Sequence, residues 1–443
     1  MSDTPADPES APPADNPLAA GARLIGAAGL KLGLVGALVV ALLIPQYMVS
    51  GLISEREARQ REVRAEIGRA WGAPQTVLGP LLVVPVVTPA GRGTESGAIA
   101  IPAAELTMAA TLAPETRRRG LFEAIVYAAR IDIAGRLGDA AAALPADAEP
   151  DWRGAYLLTG ATDLRPTADP PTLSLGGRAL PVEREGSARC GAVEALRWPL
   201  GLDGPPEPGM AFAGTMELRG TEALSMLPVA RRLRFSAEAA WETPSYFGTS
   251  LPHRTSGDGS AFRAEWVGGM AERSLRLPAD GCGAVLGRGV GMGVALLEAV
   301  PTYRMVNRTA KYAALFVLLA VMTYWLFELV SRVRIHLVQY GLLGLSMVLF
   351  PMLLLAISET LGFGLAYVVS AVMVMGQASL FTAGVTGRVR LAAVFAAVLA
   401  ALFGFLYVVL RMESMALLAG AIGLFALLSA VMMATRGIAG RER

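Results

Sequence analysis

Apolar and polar positions divide this chain unevenly. A short apolar run covers 32–44, a polar stretch follows to about residue 307, and from 312 to 434 the chain is apolar with brief polar breaks. A helix needs roughly 20 apolar residues to cross a bilayer, so the last block holds about five such helices. Its breaks are Ser331, Arg332 and Arg334, then Ser358, Glu359 and Thr360, then Arg388 and Arg390, then Arg411 and Glu413. They delimit spans at 312–330, 338–357, 361–384, 391–410 and 415–434. The first run, taken to residue 49, makes a sixth.

In the polar stretch the period changes to two. Leu233, Phe235, Ala237, Ala239 and Trp241 alternate with Arg232, Arg234, Ser236 and Glu238, the pattern of a half-buried strand. The same alternation runs through Leu106, Met108, Ala110 and Leu112, through Phe212, Gly214, Met216 and Leu218, and through Phe262, Ala264 and Trp266. Turns fall at Gly204, Pro205 and Pro206 and at Gly257, Asp258 and Gly259. These features predict a sandwich or a large twisted sheet. Residues 55–71 differ: Ala58, Val63, Ile67 and Trp71 stand near helical spacing in a charged run, which predicts that the first helix continues outward.

The fold class is therefore an α+β membrane protein. It has six transmembrane helices, one N-terminal and five C-terminal, with a large mainly-β domain inserted after the first. The division is a disordered tail over 1–31, a helix over 32–49, the β domain over 50–308, five helices over 309–435 and a tail over 436–443. Val49, Ser50 and Gly51 resemble a signal cleavage site, but the partly acidic lead-in before residue 32 favours an uncleaved anchor.

Charge orients the spans. Arg332 and Arg334, Arg388 and Arg390, and Arg436, Arg441 and Arg443 recur at alternate ends, while the intervening turns hold Glu359 and the compensated Arg411 and Glu413. Cytoplasmic loops are the ones rich in Lys and Arg, which places both termini in the cytoplasm and the β domain outside. Arg304, Arg308 and Lys311 lie against this trend, and long translocated domains largely escape it. The 53% hydrophobic and 17% charged fractions agree with a bilayer as the main partner. With 39 basic and 37 acidic residues, no nucleic-acid partner is indicated.

Candidate chemistry is sparse. His253 and His336 are the two histidines, and the topology puts them on opposite sides of the membrane, so they cannot share a metal. No zinc-protease, nucleophile-elbow or phosphate-loop signature stands in a usable setting, and no enzyme activity and no cofactor are expected. Glu328 precedes Arg332 by four residues, the spacing of an ion pair closing the second span. His336, Gln339 and Tyr340 begin the third span, either as an interfacial anchor or as a polar cluster joining helix ends. Ser358 and Glu359 either face water or meet the external domain or a polar pocket with Gln377. Trp241, Tyr246, Phe247 and His253 are candidates for an interaction surface, against the alternative of a strand core and an exposed loop.

Several segments together resemble the CreD family of bacterial inner-membrane proteins. They begin with Ile53, Glu55 and Arg56 through Trp71, and with Gly79, Pro80, Leu81 and Leu82. Arg119, Gly120, Leu121, Phe122 and Glu123 follow, and then Trp241, Pro244, Ser245, Tyr246, Phe247 and Gly248. In the apolar block the resemblance is carried by Lys311 and Tyr312, Phe327 and Glu328, Arg334, Ile335 and His336, and Gln339 and Tyr340. Ser358, Glu359, Gly362, Phe363, Ala366 and Tyr367 complete it. Leu337 and Pro351 depart from the family pattern, and Pro351 is a site for a bend. The resemblance implies a Gram-negative inner-membrane protein with a periplasmic β domain and a part in envelope integrity, without an established biochemical activity.

Three readings stay open. One is an interaction protein whose periplasmic domain binds another envelope protein or a cell-wall component. Another is a transporter or lipid-handling protein using the C-terminal helices. The third is a membrane enzyme of unrecognised type. The first is preferred, because few polar groups interrupt the spans and no nucleophile and base stand together.

Cys190 and Cys282 are the only cysteines, and both fall in the domain placed in the oxidising compartment. They are expected to form a disulfide, with two free thiols as the alternative. Closing a loop of that length would stabilise the domain by about 4 kcal/mol in the chain-entropy model. Non-reducing mass spectrometry after thiol blocking should find neither cysteine alkylated; two alkylated residues would exclude the bridge.

Overall fold

Helix α1 (Pro17–Trp71) carries the first apolar run and extends it in both directions to 55 residues. It belongs to a computed structural model that describes residues 17–90, 93–165, 169–183, 189–190, 193–270, 274–277, 291–297, 302–331 and 335–412, with scattered positions from 418 to 433. The tail expected over 1–31 is thus helical from Pro17 onward. Pro17 is tolerated at a first helical position, and Leu18, Ala19, Ala20, Ala22 and Leu24 are strong helix formers, so low hydropathy there did not mean disorder. The continuation to Trp71 is present, with Ile53, Val63 and Ile67 buried, and Val49, Ser50 and Gly51 lie inside the helix. Gly72 stops it. Its φ of 154° and an ideal Cβ placed 2.2 Å from the Arg219 carbonyl oxygen leave room for glycine alone.

Contacts divide the chain into two units, Arg59–Ala299 and Met1–Ala58 with Val300–Arg443. The first is built of strands. β1 (Gln75–Ala90), β2 (Gly93–Arg119) and β3 (Phe122–Arg136) precede the single turn α2 (Ala140–Ala143). Next come β4 (Glu149–Pro150), β5 (Tyr156–Ala161), β6 (Thr172–Leu175), β7 (Arg178–Ala179), β8 (Arg189–Cys190) and β9 (Val193–Pro199). Then follow β10 (Ala211–Thr221), β11 (Ala223–Leu227), β12 (Ala230–Ala239) and β13 (Pro244–Gly248). The last are β14 (Arg254–Gly257), β15 (Phe262–Gly268), β16 (Leu275–Leu277) and β17 (Met292–Leu296).

Two layers share one strand. The first ten residues of β2 pair with β1, which also pairs with β4, β5 and, in parallel, β11. Beyond Pro102, β2 enters the other layer, antiparallel to β3 and parallel to β12. That layer continues through β10 and β6 on one side and through β15 and β14 on the other. Its inner face holds the expected alternating residues: Leu106, Met108, Ile131, Ile133, Met216, Phe235 and Trp266 are all buried. Thr107, Arg130, Asp132 and Arg234 point out. Period-two reasoning missed β1. Leu81, Leu82, Val83 and Val84 are all buried, because both of its faces are covered. A strand covered on both faces reads as a continuous apolar run.

In the other unit, α3 (Thr302–Ser331), α4 (Leu337–Thr386) and α5 (Val389–Arg411) follow one another. Among the described residues, four helices are long and apolar enough to cross a membrane: Gly33–Trp71, Thr302–Glu328, Leu337–Thr386 and Val389–Arg411. The third is two crossings. Gly362 takes φ 73° and ψ 166°, and the legs fold back so that the Ser346 hydroxyl reaches Gln377 Oε1 at 3.0 Å. In a straight helix those residues would stand roughly 46 Å apart. The turn expected at Ser358, Glu359 and Thr360 is therefore at Gly362, since only glycine takes that backbone without strain. The polar residues mark the neighbourhood of the turn and are themselves helical. The helix continues through Pro351.

The sixth span at 415–434 falls mostly outside the described residues, although 418, 420–422, 425, 429 and 432–433 are helical. The Cys190 and Cys282 bridge also lies outside them, since Cys282 falls within 278–290 and only the backbone of Cys190, at the end of β8, is described.

Two glycines with positive φ separate strain from crowding. Gly72→Ala is expected to lower stability by roughly 2–4 kcal/mol through strain and the clash with Arg219. Gly120→Ala, at φ 63° with open space around its Cβ, should lose only about 1 kcal/mol. Denaturant titration of the purified protein in detergent, followed by near-ultraviolet circular dichroism, measures both; equal losses would contradict the packing at Gly72.

Candidate functional site

One carboxylate gathers three helices of the helical unit. Glu328, near the end of α3, forms an ion pair with Lys31 of α1. Its second oxygen accepts the Tyr340 hydroxyl of α4 at 2.6 Å, and the first also accepts the Ile335 backbone N–H at 3.4 Å. Lys31 donates in addition to the Ile335 carbonyl at 2.7 Å and lies 5.9 Å from the Tyr340 ring centre. Tyr340 is fully buried and meets Tyr324 edge to face at 5.4 Å. With the Lys31 and Glu328 side chains 33% and 16% exposed, the pair is shielded from most of the solvent that weakens surface ion pairs. Three donors occupy this carboxylate, which suits a structural anion better than a general base.

His336 and Gln339 close the start of α4. The His336 ring accepts from the Val338 N–H at 3.4 Å, and the Gln339 side chain accepts from the His336 N–H at 2.9 Å. This is reciprocal capping of otherwise unpaired backbone donors. Between the two readings of this stretch, Tyr340 joins the polar cluster, while His336 is exposed and caps its own helix. The expected partner of Glu328, Arg332, lies outside the described residues. Lys31, 297 positions away in sequence, was not foreseen. Its one signal is that it is the cation directly before the first apolar run.

Glu359 accepts the Tyr303 hydroxyl of α3 at 2.9 Å, and Asn307 of α3 donates to Glu57 of α1 at 3.2 Å. Ser358 is buried and donates back to the Leu355 carbonyl at 2.9 Å. Glu359 and Gln377 do not form a common pocket. Gln377 bonds to Ser346 instead, because it stands 15 residues past Gly362, roughly 22 Å along the leg. Tyr367 ties α4 to the Phe403 carbonyl of α5 at 2.7 Å.

In the β-rich unit the aromatic candidates edge the core. Trp241 donates to the Leu297 carbonyl at 2.9 Å. Tyr246 is half-buried, with its ring 5.9 Å from Trp266 and 6.3 Å from Phe262, and burial raises its hydroxyl pKa. Phe247 is half-buried on β13, while His253 is exposed and its N–H donates to the Glu265 carbonyl at 2.7 Å. Nearby, an open groove of about 530 Å³ has Leu112, Ala239 and Phe262 among its lining, with Thr111, Glu238, Asp258 and Arg263. Glu238 is paired with Arg263 at 3.1 Å. The Ser260 hydroxyl and the Ser260 and Ala261 N–H groups hold Asp258 below the usual carboxylate range.

Sequence reasoning also missed the clamp on the end of α1. Trp71 lies 3.7 Å from the Arg117 guanidinium and 4.7 Å from that of Arg219, and its indole N–H donates to the Tyr127 carbonyl at 3.2 Å. Arg165 donates to the last carbonyls of the helix, Gly68 and Arg69, as a cation does at a helix C-terminus. Burial works against ionisation of Asp163, but the hydrogen bonds and charge of Arg165 outweigh it and hold the carboxyl low. Among the described residues, no three His, Cys, Asp or Glu side chains are grouped to hold a metal.

Apolar helices of bilayer length, tied at their ends by ionic and phenolic bonds and interrupted by a two-layered β unit, define a multi-pass membrane protein with an inserted domain. Comparison with known proteins makes this specific. The family model "Inner membrane protein CreD" matches residues 27–439, and the chain belongs to that family. It is 26% identical over 415 residues to the inner membrane protein CreD of Escherichia coli strain K12, covering 90% of this chain and 91% of that one.

The junction makes a quantitative expectation. Glu328→Ala should lower stability by roughly 2–4 kcal/mol, because Lys31 and Tyr340 both lose their acceptor. Lys31→Met together with Glu328→Ala should fall short of the sum by about 1 kcal/mol or more. Unfolding of the purified protein in detergent gives the double-mutant cycle, and strict additivity would mean that the pair does not couple.

Proposed function

We propose that this CreD-family protein contributes to envelope integrity by binding another envelope component, a protein or a part of the cell wall, through its β-rich unit. In this reading the β-rich unit is periplasmic, both termini are cytoplasmic, and the chain crosses the inner membrane six times. It carries no catalytic role. The helices anchor and organise the protein. The observation that supports this most is where the polar groups of the helical unit go. Lys31 and Tyr340 meet Glu328, Tyr303 meets Glu359, Asn307 meets Glu57 and Ser346 meets Gln377. Each bond ties one helical segment to another. A transporter or lipid-handling protein would be expected to turn such groups toward a passage.

Alkaline phosphatase fused at about residue 200 should be active and at the C-terminus inactive; the reverse pattern would overturn the orientation. For the binding role, a photo-crosslinking amino acid placed at Thr111 or Ser256, beside the groove of the β-rich unit, should capture an envelope protein or cell-wall fragment in intact cells. Silence at both positions, with the protein at normal abundance, would remove the support for this reading.

A further inference from the structure

The outer side of the second α4 leg carries an amide that the described residues leave half-used. Gln377 is the fifteenth residue of the 363–386 leg, within about 4 Å of its middle at 1.5 Å per residue. Hydrocarbon at that depth offers neither donors nor acceptors. Ser346 donates to Gln377 Oε1 at 3.0 Å, and no described residue accepts from its amide nitrogen. Two N–H donors and one oxygen lone pair remain. The side chain is exposed rather than buried within the unit. Interhelical amide bonds are a recognised source of helix association in membranes.

The surroundings suit a close partner. Gly376 and Gly384 are exposed and have nothing within 4 Å of an ideal Cβ, and Leu380 between them is 77% exposed. The three share one ridge at four-residue spacing, and a ridge with small residues at both ends lets a second helix approach to backbone distance. The terminal apolar segment does not occupy this ridge at its described positions: Ile422 and Phe425 are themselves 60% and 73% exposed.

We infer that the occupant is a second copy of this chain, related by a two-fold axis through Gln377. A carboxamide is both donor and acceptor, so two Gln377 side chains can bond each other reciprocally, which is what an isologous contact requires. The two Ser346 hydroxyls then hold both amides in orientation. This inference concerns the helical unit and stands apart from the proposed role of the β-rich unit.

A photo-crosslinking amino acid at Leu380 of the full-length protein, irradiated in native membranes, tests it. The expected product has twice the 46.3 kDa chain mass and is reduced at least several-fold by Gln377→Leu. An adduct confined to one chain and mapped to 415–434, an adduct to another protein, or no protein adduct would each overturn the inference. Should Gln377→Leu fail to accumulate, co-purification of two differently tagged, otherwise unaltered copies decides: recovery of both tags supports the contact, and recovery of one alone refutes it.

Discussion

Hydrocarbon cannot satisfy a polar group, and that constraint arranges the helical unit. Each carboxylate or amide the spans carry has to find its partner within the protein, and the described partners are on other helical segments. Glu328 is the clearest case, with Lys31 from α1 and Tyr340 from α4 on the two oxygens of one carboxylate. Glu57 with Asn307 and Glu359 with Tyr303 repeat the arrangement with single bonds. Apolar packing alone discriminates weakly between neighbouring helices, since lipid tails are as apolar as leucine. Directional bonds supply the discrimination. They select which helix lies beside which, and at what height.

The β-rich unit answers a different constraint, the need to cover both faces of its most apolar strand. β2 resolves it by leaving one layer at Pro102 and entering the other at Ala103, so both layers are hydrogen-bonded to the same chain segment. Close approach of the layers then depends on small residues. At Gly79 an ideal Cβ would lie 2.5 Å from the Leu106 side chain of the opposite layer. The outer face of the second layer remains polar, with Thr107, Arg130, Asp132 and Arg234 on its surface. Such a face is fitted to water or to a polar partner more than to lipid, which is consistent with a binding role for this unit.

Family membership and physical reading meet at the same residues. The match over residues 27–439 includes Lys31, Glu328, Tyr340 and Glu359, the groups that join the helices. Their chemistry is that of positioning: a carboxylate with three donors, a capped helix start and a phenol on a carboxylate. None of these arrangements presents a nucleophile beside a base. The helices therefore read as a framework, and the search for activity moves to the β-rich unit and to contacts with other molecules.

By itself the sequence determined the class and the order of elements. Spans appeared because a run of about 20 apolar residues has no other use in a chain of this kind, and strands appeared where one face was wet, as in β12 with Phe235 inward and Arg234 outward. Local periodicity also carried α1 through to Trp71. What needed the tertiary structure was every pairing across distance. Lys31 and Glu328 are separated by 297 positions, and nothing near either residue names the other. β1 was hidden because burial on both faces erases alternation, and the turn at Gly362 was misplaced by four residues or fewer because polar side chains there bond to other helices rather than mark the bend. Periodicity reports how one segment meets its surroundings. Which segment forms those surroundings is decided only when the chain has folded.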